Sequence, residues 1–158
     1  MGCHTWCYKR LNITDEVKKQ YQQSALEEVK YFIDRDYVND YSKKDILETD
    51  KFRDSIIEEG VLEKIQNGDL DTIMEWIPSY AIMHINSDYY DSTGMPHDPF
   101  RVSGYPEGHW YDADSLINFL REYDQKEIED PDGNVGLTPK LEEVIKELFK
   151  TVDMIDFG

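Results

Sequence analysis

Cys3 and Cys7 bracket His4 in the opening run CHTWC, and the chain holds no other cysteine. Thiolate and imidazole are donors that zinc prefers, so Cys3, His4 and Cys7 could supply three ligands, with His84, His97 or His109 as a fourth. Spacing opposes that use. Residues 3–8 (CHTWCY) are β-branched, aromatic or sulfur-bearing and predict a short strand. In a strand Cys3 and Cys7 share a face but stand roughly 13 Å apart, while one zinc needs both sulfurs within about 2.3 Å. The same separation forbids a Cys3–Cys7 disulfide, and His4 points to the opposite face. The cysteines are therefore expected to be buried filling. A nucleophilic Cys7 served by His84, His97 or His109 is the other chemical use of the sulfur. It calls for an electropositive setting, and this chain is acidic. Gly2-Cys3 resembles an acylated N-terminus, but Trp6 stands where that pattern wants Ser or Thr.

A second group lies in MPHDPF and GYPEGHWYDAD. His97, Asp98, Arg101, Glu107, His109 and Asp112 fall close to one helix start. A His/Asp/Glu cluster on loops can bind a divalent metal or transfer protons. The same residues can equally form a contact surface, since loops carry function more often than cores do. The chain has 11 tyrosines, and tyrosine supplies contact area at little entropic cost. The expected binding surface is Tyr89, Tyr90, His97, Asp98, Arg101, Tyr105, His109, Trp110 and Asp112. In DPDGNVG, Asp130, Asp132 and Asn134 alternate as in a calcium loop. Val135 then replaces the required glycine and Leu141 the required glutamate, so a turn is the simpler account.

Charge narrows the partners. The 158 residues carry 17 Lys+Arg against 34 Asp+Glu, a net of −17. Residues 1–50 hold 8 basic and 10 acidic groups; residues 51–158 hold 9 and 24. Such a field repels phosphate backbones and argues against direct nucleic-acid binding, while it attracts a basic partner. Mimicry of nucleic acid in a basic groove is one reading, and solubility is the bland one. No apolar run approaches the roughly 18 residues of a membrane helix, and the first residues lack the pattern of a secretory signal. Two cysteines fit a reducing compartment, so the cytosol is the expected location.

The elements that must position these residues follow from periodicity. Thr14 caps a helix running to about Asp36 through Val17, Tyr21, Ala25, Val29 and Phe32/Ile33. DYVNDYSKK links it to a helix over about 43–59, stopped at Gly60. VLEKIQ is a short helix stopped at Asn67-Gly68, and Asp69 or Asp71 caps the next, with Leu70, Ile73, Met74 and Ile77 inside. Residues 86–99 (NSDYYDSTGMPHDP) read as a long loop. Phe100 to Val102 suggests a brief strand. Asp112 caps a helix whose stripe is Leu116, Ile117, Phe119, Leu120 and Tyr123; Thr138-Pro139 starts the last one, over Leu141, Val144, Ile145 and Leu148. Residues 152–158 form a tail that adds a strand or frays. The expected fold is α+β, a helix-dominated single domain (1–158) with a small sheet of two or three strands that includes the N-terminal one.

Gly2-Cys3-His4-Thr5-Trp6, followed by Tyr8-Lys9, resembles the start of a group of small bacteriophage proteins. The runs Phe100–Pro106 and Asp112–Leu116 are similar to segments of the same group. The likeness covers about a quarter of the chain, and the group has no established activity, so no residue role carries over. It implies an accessory protein working in the host cytosol. The reading that results is stoichiometric binding to a host protein with a basic surface, for example inhibition of a nucleic-acid- or nucleotide-handling defence factor. No cofactor is expected, and association is favoured over catalysis. The alternatives are a metal-dependent enzyme or zinc protein on the His97/Asp98/His109 loop or the Cys3/His4/Cys7 cluster, and a minor virion component.

Overall fold

The computed structural model describes residues 4–34, 43–78, 82–95, 101–102 and 107–158. The chain is α+β and helix-dominated, and its N-terminal strand belongs to the main sheet. Contacts gather into two compact units: Asn12–Tyr80, and Met1–Leu11 with Ala81–Gly158.

The first unit is helical: α1 (Asp15–Asp34), α2 (Lys43–Glu58), α3 (Val61–Gln66) and α4 (Leu70–Trp76). Thr14 starts α1 as expected, its Oγ1 accepting from the Val17 amide at 3.2 Å. Gly60, at φ 63°, turns the chain between α2 and α3, and Gly68, at φ 80°, turns it after α3. Only glycine takes this left-handed conformation without strain. Asp69 rather than Asp71 precedes α4, and its carboxylate accepts the Thr72 hydroxyl at 2.7 Å. The Gln22 side-chain amide donates to the carbonyls of Ile65 (2.7 Å) and Gln66 (3.2 Å). It thereby ties α1 to the C-terminal end of α3, where the Ile65 carbonyl also accepts from the Gly68 amide at 3.0 Å. Ala25, Val29, Val61, Ile65, Ile73 and Met74 are buried.

The second unit holds β1 (Thr5–Arg10), β2 (Ile82–Ile85), β3 (Asp88–Gly94), β4 (Arg101–Val102), β5 (Gly108–Trp110), α5 (Ala113–Glu122), β6 (Ile128–Glu129), α6 (Pro139–Leu148) and β7 (Met154–Phe157). Five strands form one antiparallel sheet in the order β2-β3-β1-β7-β5; β4 and β6 pair separately. The sheet is thus larger than the two or three strands expected. Cys7, Trp110, Ile155 and Phe157 from the sheet pack against Leu116, Ile117 and Leu120 of α5 and Leu141 and Ile145 of α6. Both helices open on the caps expected. Asp112 Oδ1 accepts from the Ser115 amide at 2.8 Å, and Thr138 Oγ1 from the Leu141 amide at 3.2 Å.

One expectation about the elements needs correction. The long loop over 86–99 is a hairpin in its first part: only Asn86 and Ser87 turn, and Asp88–Gly94 is strand β3. Both turn residues have positive φ (51° and 70°), the pattern that a two-residue hairpin turn demands. The polar composition of NSDYYDSTG hid a strand whose two tyrosines are buried on opposite faces. The C-terminal segment takes the first of its two expected courses and adds a strand. β7 pairs with β1 on one side and β5 on the other, and Met154, Ile155 and Phe157 are buried.

Candidate functional site

The sheet of the second unit has two different faces. Residues that stand opposite one another on neighbouring antiparallel strands point to the same side. Cys7, Ile155 and Trp110 are such a row, and they face α5 and α6. The adjacent row is Trp6, Asp156 and His109, on the other face. Tyr8 and Met154 follow on that same face, then Arg10 opposite Tyr90. Tyr8, Tyr90 and Met154 cluster there with Met83 and Ile85 packed beside them.

Ion pairs sit at two places on this face. His109 Nδ1 and Asp156 Oδ1 are 2.8 Å apart, and Arg10 pairs with Asp88 while its guanidinium lies 6.0 Å from the Tyr90 ring centre. The rings of Tyr90 (β3) and Tyr111, just after β5, come within 6.2 Å, although two strands run between them. Strands lie about 4.8 Å apart, so these side chains lean across the face toward each other. Burial pushes the Asp156 carboxyl up; His109 pulls it back in part, and Glu107 adds to the rise. Burial, then the charge of Asp156, pushes the Tyr8 phenol up.

A His–Asp pair can accept or relay a proton when a nucleophile stands within reach. Cys7 is the obvious candidate, and the geometry removes it. Its neighbour across β7 is Trp110, so His109 lies on the opposite face. His84 is stacked on Tyr89, five residues along β3 from the partner of Cys7, or roughly 16 Å. Cys7 is 2% exposed, and burial pushes its thiol up to about 11. At neutral pH it is a thiol, a poor nucleophile and a poor metal ligand. From His4 onward the chain is extended: His4 and Gly158 exchange both backbone hydrogen bonds at 3.0 Å. Among the described residues no three His, Cys, Asp or Glu side chains are arranged to hold a metal ion.

Of the residues expected to form one binding surface, those that are described are dispersed. Cys3, His97, Asp98 and Tyr105 lie outside the described residues. Tyr89, Tyr90 and Trp110 are buried, so as exposed contact area they are corrected. Each sits on a strand whose polar neighbours disguised it. Arg101 is exposed in the two-stranded ladder, 3.9 Å from Glu129. Asp112 is exposed, with both carboxylate oxygens engaged by Ser115. Those bonds, together with one from Asp114, hold its carboxyl below the usual range despite some burial. Of the six that are described, His109 alone stands in a polar cluster, beside Asp156 with its side chain 38% exposed. Sequence reasoning missed Asp156 and Trp6 as its neighbours, because only strand register brings residues 6, 109 and 156 into one row.

Asp130 explains the calcium-like run DPDGN. Its buried carboxylate accepts from the amides of Asp132 (3.1 Å) and Asn134 (2.8 Å), the Asn134 side chain (3.3 Å) and the Thr138 hydroxyl (3.0 Å). Burial pushes this carboxyl up, and the bonds from Asn134, Thr138 and Asp132 more than reverse it. Its oxygens are committed to building the turn that leads into α6. No protein-family model, curated protein or solved structure matches the chain.

Proposed function

We propose that the protein acts by stoichiometric association with a protein of basic surface, its carboxylates steering the encounter and exposed aromatic side chains supplying contact. The observation that carries this is the uncompensated charge. With 34 acids against 17 Lys+Arg, complete pairing of every cation still leaves 17 carboxylates without a Lys or Arg partner in the chain. Their placement supports a role in binding over one in folding. α1 ends on Asp34, α2 on Glu58, and α4 has Glu75 in its last turn, with no basic residue in any of those turns. A helix C-terminus carries partial negative charge, so acids there oppose the dipole. Trp6 and Tyr111 are exposed on the sheet face that also holds His109 and Asp156. Aromatic anchors beside a polar rim are a common interface composition.

The likeness of the first residues to bacteriophage proteins gives this reading its setting: an accessory protein in an infected cell, whose partner handles nucleic acid or nucleotides and is basic for that reason. Affinity capture from host lysate tests it. At low salt a basic protein should be retained in stoichiometric amount and should elute as salt screens the field. A quadruple variant (Glu107→Gln, Asp114→Asn, Glu122→Gln, Asp124→Asn) neutralises exposed acids and should retain less. Recovery of nothing at low salt, or retention indifferent to salt and to the variant, overturns the reading.

A further inference from the structure

The helical unit contains a cavity of about 460 Å³ lined by Glu28, Phe32, Phe52, Glu75, Trp76 and Ile77, with Pro78 at its edge. That is within the size range of ligand pockets. Three of the walls are aromatic and touch one another. Phe32 lies 5.7 Å from Phe52 and 5.8 Å from Trp76, centre to centre, and Phe52 lies 6.2 Å from Trp76. Phe32 stands at 84° to Phe52 and 70° to Trp76, whereas Phe52 and Trp76 are only 30° apart. The cluster therefore presents ring surface in two nearly perpendicular directions, like the walls of a corner. Phe52 remains 48% exposed, so its ring is accessible to a ligand.

Glu28 lies one helical turn before Phe32 on α1, and Glu75 directly precedes Trp76 on α4. Two carboxylates beside three aromatic faces define a narrow ligand chemistry. An anion is repelled. A neutral apolar group would use the rings and neither carboxylate, since Glu75 is exposed and Glu28 half-buried. A compact ammonium holds its water strongly, while a guanidinium is planar, weakly hydrated, stacks on aromatic faces and presents a fork of donors to carboxylates. We infer that this cavity is a socket for an arginine side chain of the basic partner. The inference rests on the association proposed above and gives that association an anchor, since arginine and aromatic residues dominate interface energetics.

The test uses the full chain and short peptides Gly-Arg-Gly, Gly-Lys-Gly and Gly-citrulline-Gly, citrulline being the neutral isostere of arginine. Indole resonances, with Trp76 assigned, are followed by NMR up to about 50 mM peptide. The arginine peptide should shift the Trp76 signal in a saturable way and bind about tenfold more tightly than the citrulline peptide, with lysine between. The double variant Glu28→Gln/Glu75→Gln should weaken arginine binding by about fivefold or more while the far-ultraviolet spectrum stays unchanged. Equal binding of arginine and citrulline, no shift at Trp76, or arginine binding untouched by the double variant each overturns the socket. Salt-sensitive capture of a partner that persists undiminished in the double variant also removes the socket, yet leaves the acid-steered association standing. Arginine binding at Trp76 without any captured partner does the reverse.

Discussion

Replacing Cys3 by serine leaves Cys7 as the sole thiol, and its reactivity is then a direct reading of the sheet. Burial moves that thiol from an ordinary 9.0 to about 11. At pH 8 the ordinary value gives about one-tenth thiolate and the raised value about one-thousandth, so attack on a disulfide reagent slows roughly 100-fold from ionisation alone. Cys7 is also enclosed by Trp110, Ile155 and the helices above them; a reagent that reaches it only when the strand opens is slowed by that opening equilibrium instead. The assay is Ellman's reagent on Cys3→Ser protein, folded and in urea, over a pH series. Folded protein should react at least about 100-fold more slowly than unfolded at pH 8, and its rate should keep rising with pH beyond 9. Reaction at the unfolded rate, or a plateau below pH 9, would refute the reasoning. It would mean an accessible, readily ionised thiol and would return Cys7 to the candidates for catalysis or zinc.

Other expectations concern stability. Asp112→Ala removes the cap of α5 and should cost about 1 kcal/mol by urea denaturation, whereas Asp112→Asn should cost little at pH 7. Because the Asp112 carboxyl is lowered on folding, its contribution is present above the ordinary carboxylate range and is lost as pH falls through it. The asparagine variant should therefore show a shallower acid-side loss of stability. Asp156 has the opposite sign. Burial raises it, so ionising it costs stability as pH rises above the ordinary carboxylate range, and Asp156→Asn should gain more at pH 7 than at pH 4 in paired urea midpoints. Leu120→Ala empties a fully buried position between α5 and the sheet and should cost about 2–5 kcal/mol. Deleting residues 154–158 removes the strand between β1 and β5 and should abolish the near-ultraviolet signal of Trp110.

Helices were the legible part of this chain. Thr14, Gly60, Gly68, Asp112 and Thr138-Pro139 act locally, through side chains and backbone angles within a turn of their own position, and the sequence displays them directly. Strands were less legible, because what makes them strands is their partners. Asp88–Gly94 has the composition of a loop and becomes a strand by pairing with β1 and β2. Met154–Phe157 is too short to show a period, yet it is an inner strand of the sheet, between β1 and β5. The candidate sites divide in the same way. Cys7 was readable as filling from its extended surroundings. The Trp6–Asp156–His109 row needs three strands in register, and the Phe32–Phe52–Trp76 cavity needs three helices. No spacing in the sequence announces either.

The central claim is that acidic charge drives association with a basic partner, and the association rate constant tests it most directly. It should be measured against the captured partner at about 50 and 300 mM salt. Charge steering acts on encounter, so the association rate should fall by about tenfold or more between these salts while the dissociation rate changes little. An association rate unmoved by salt would contradict the account.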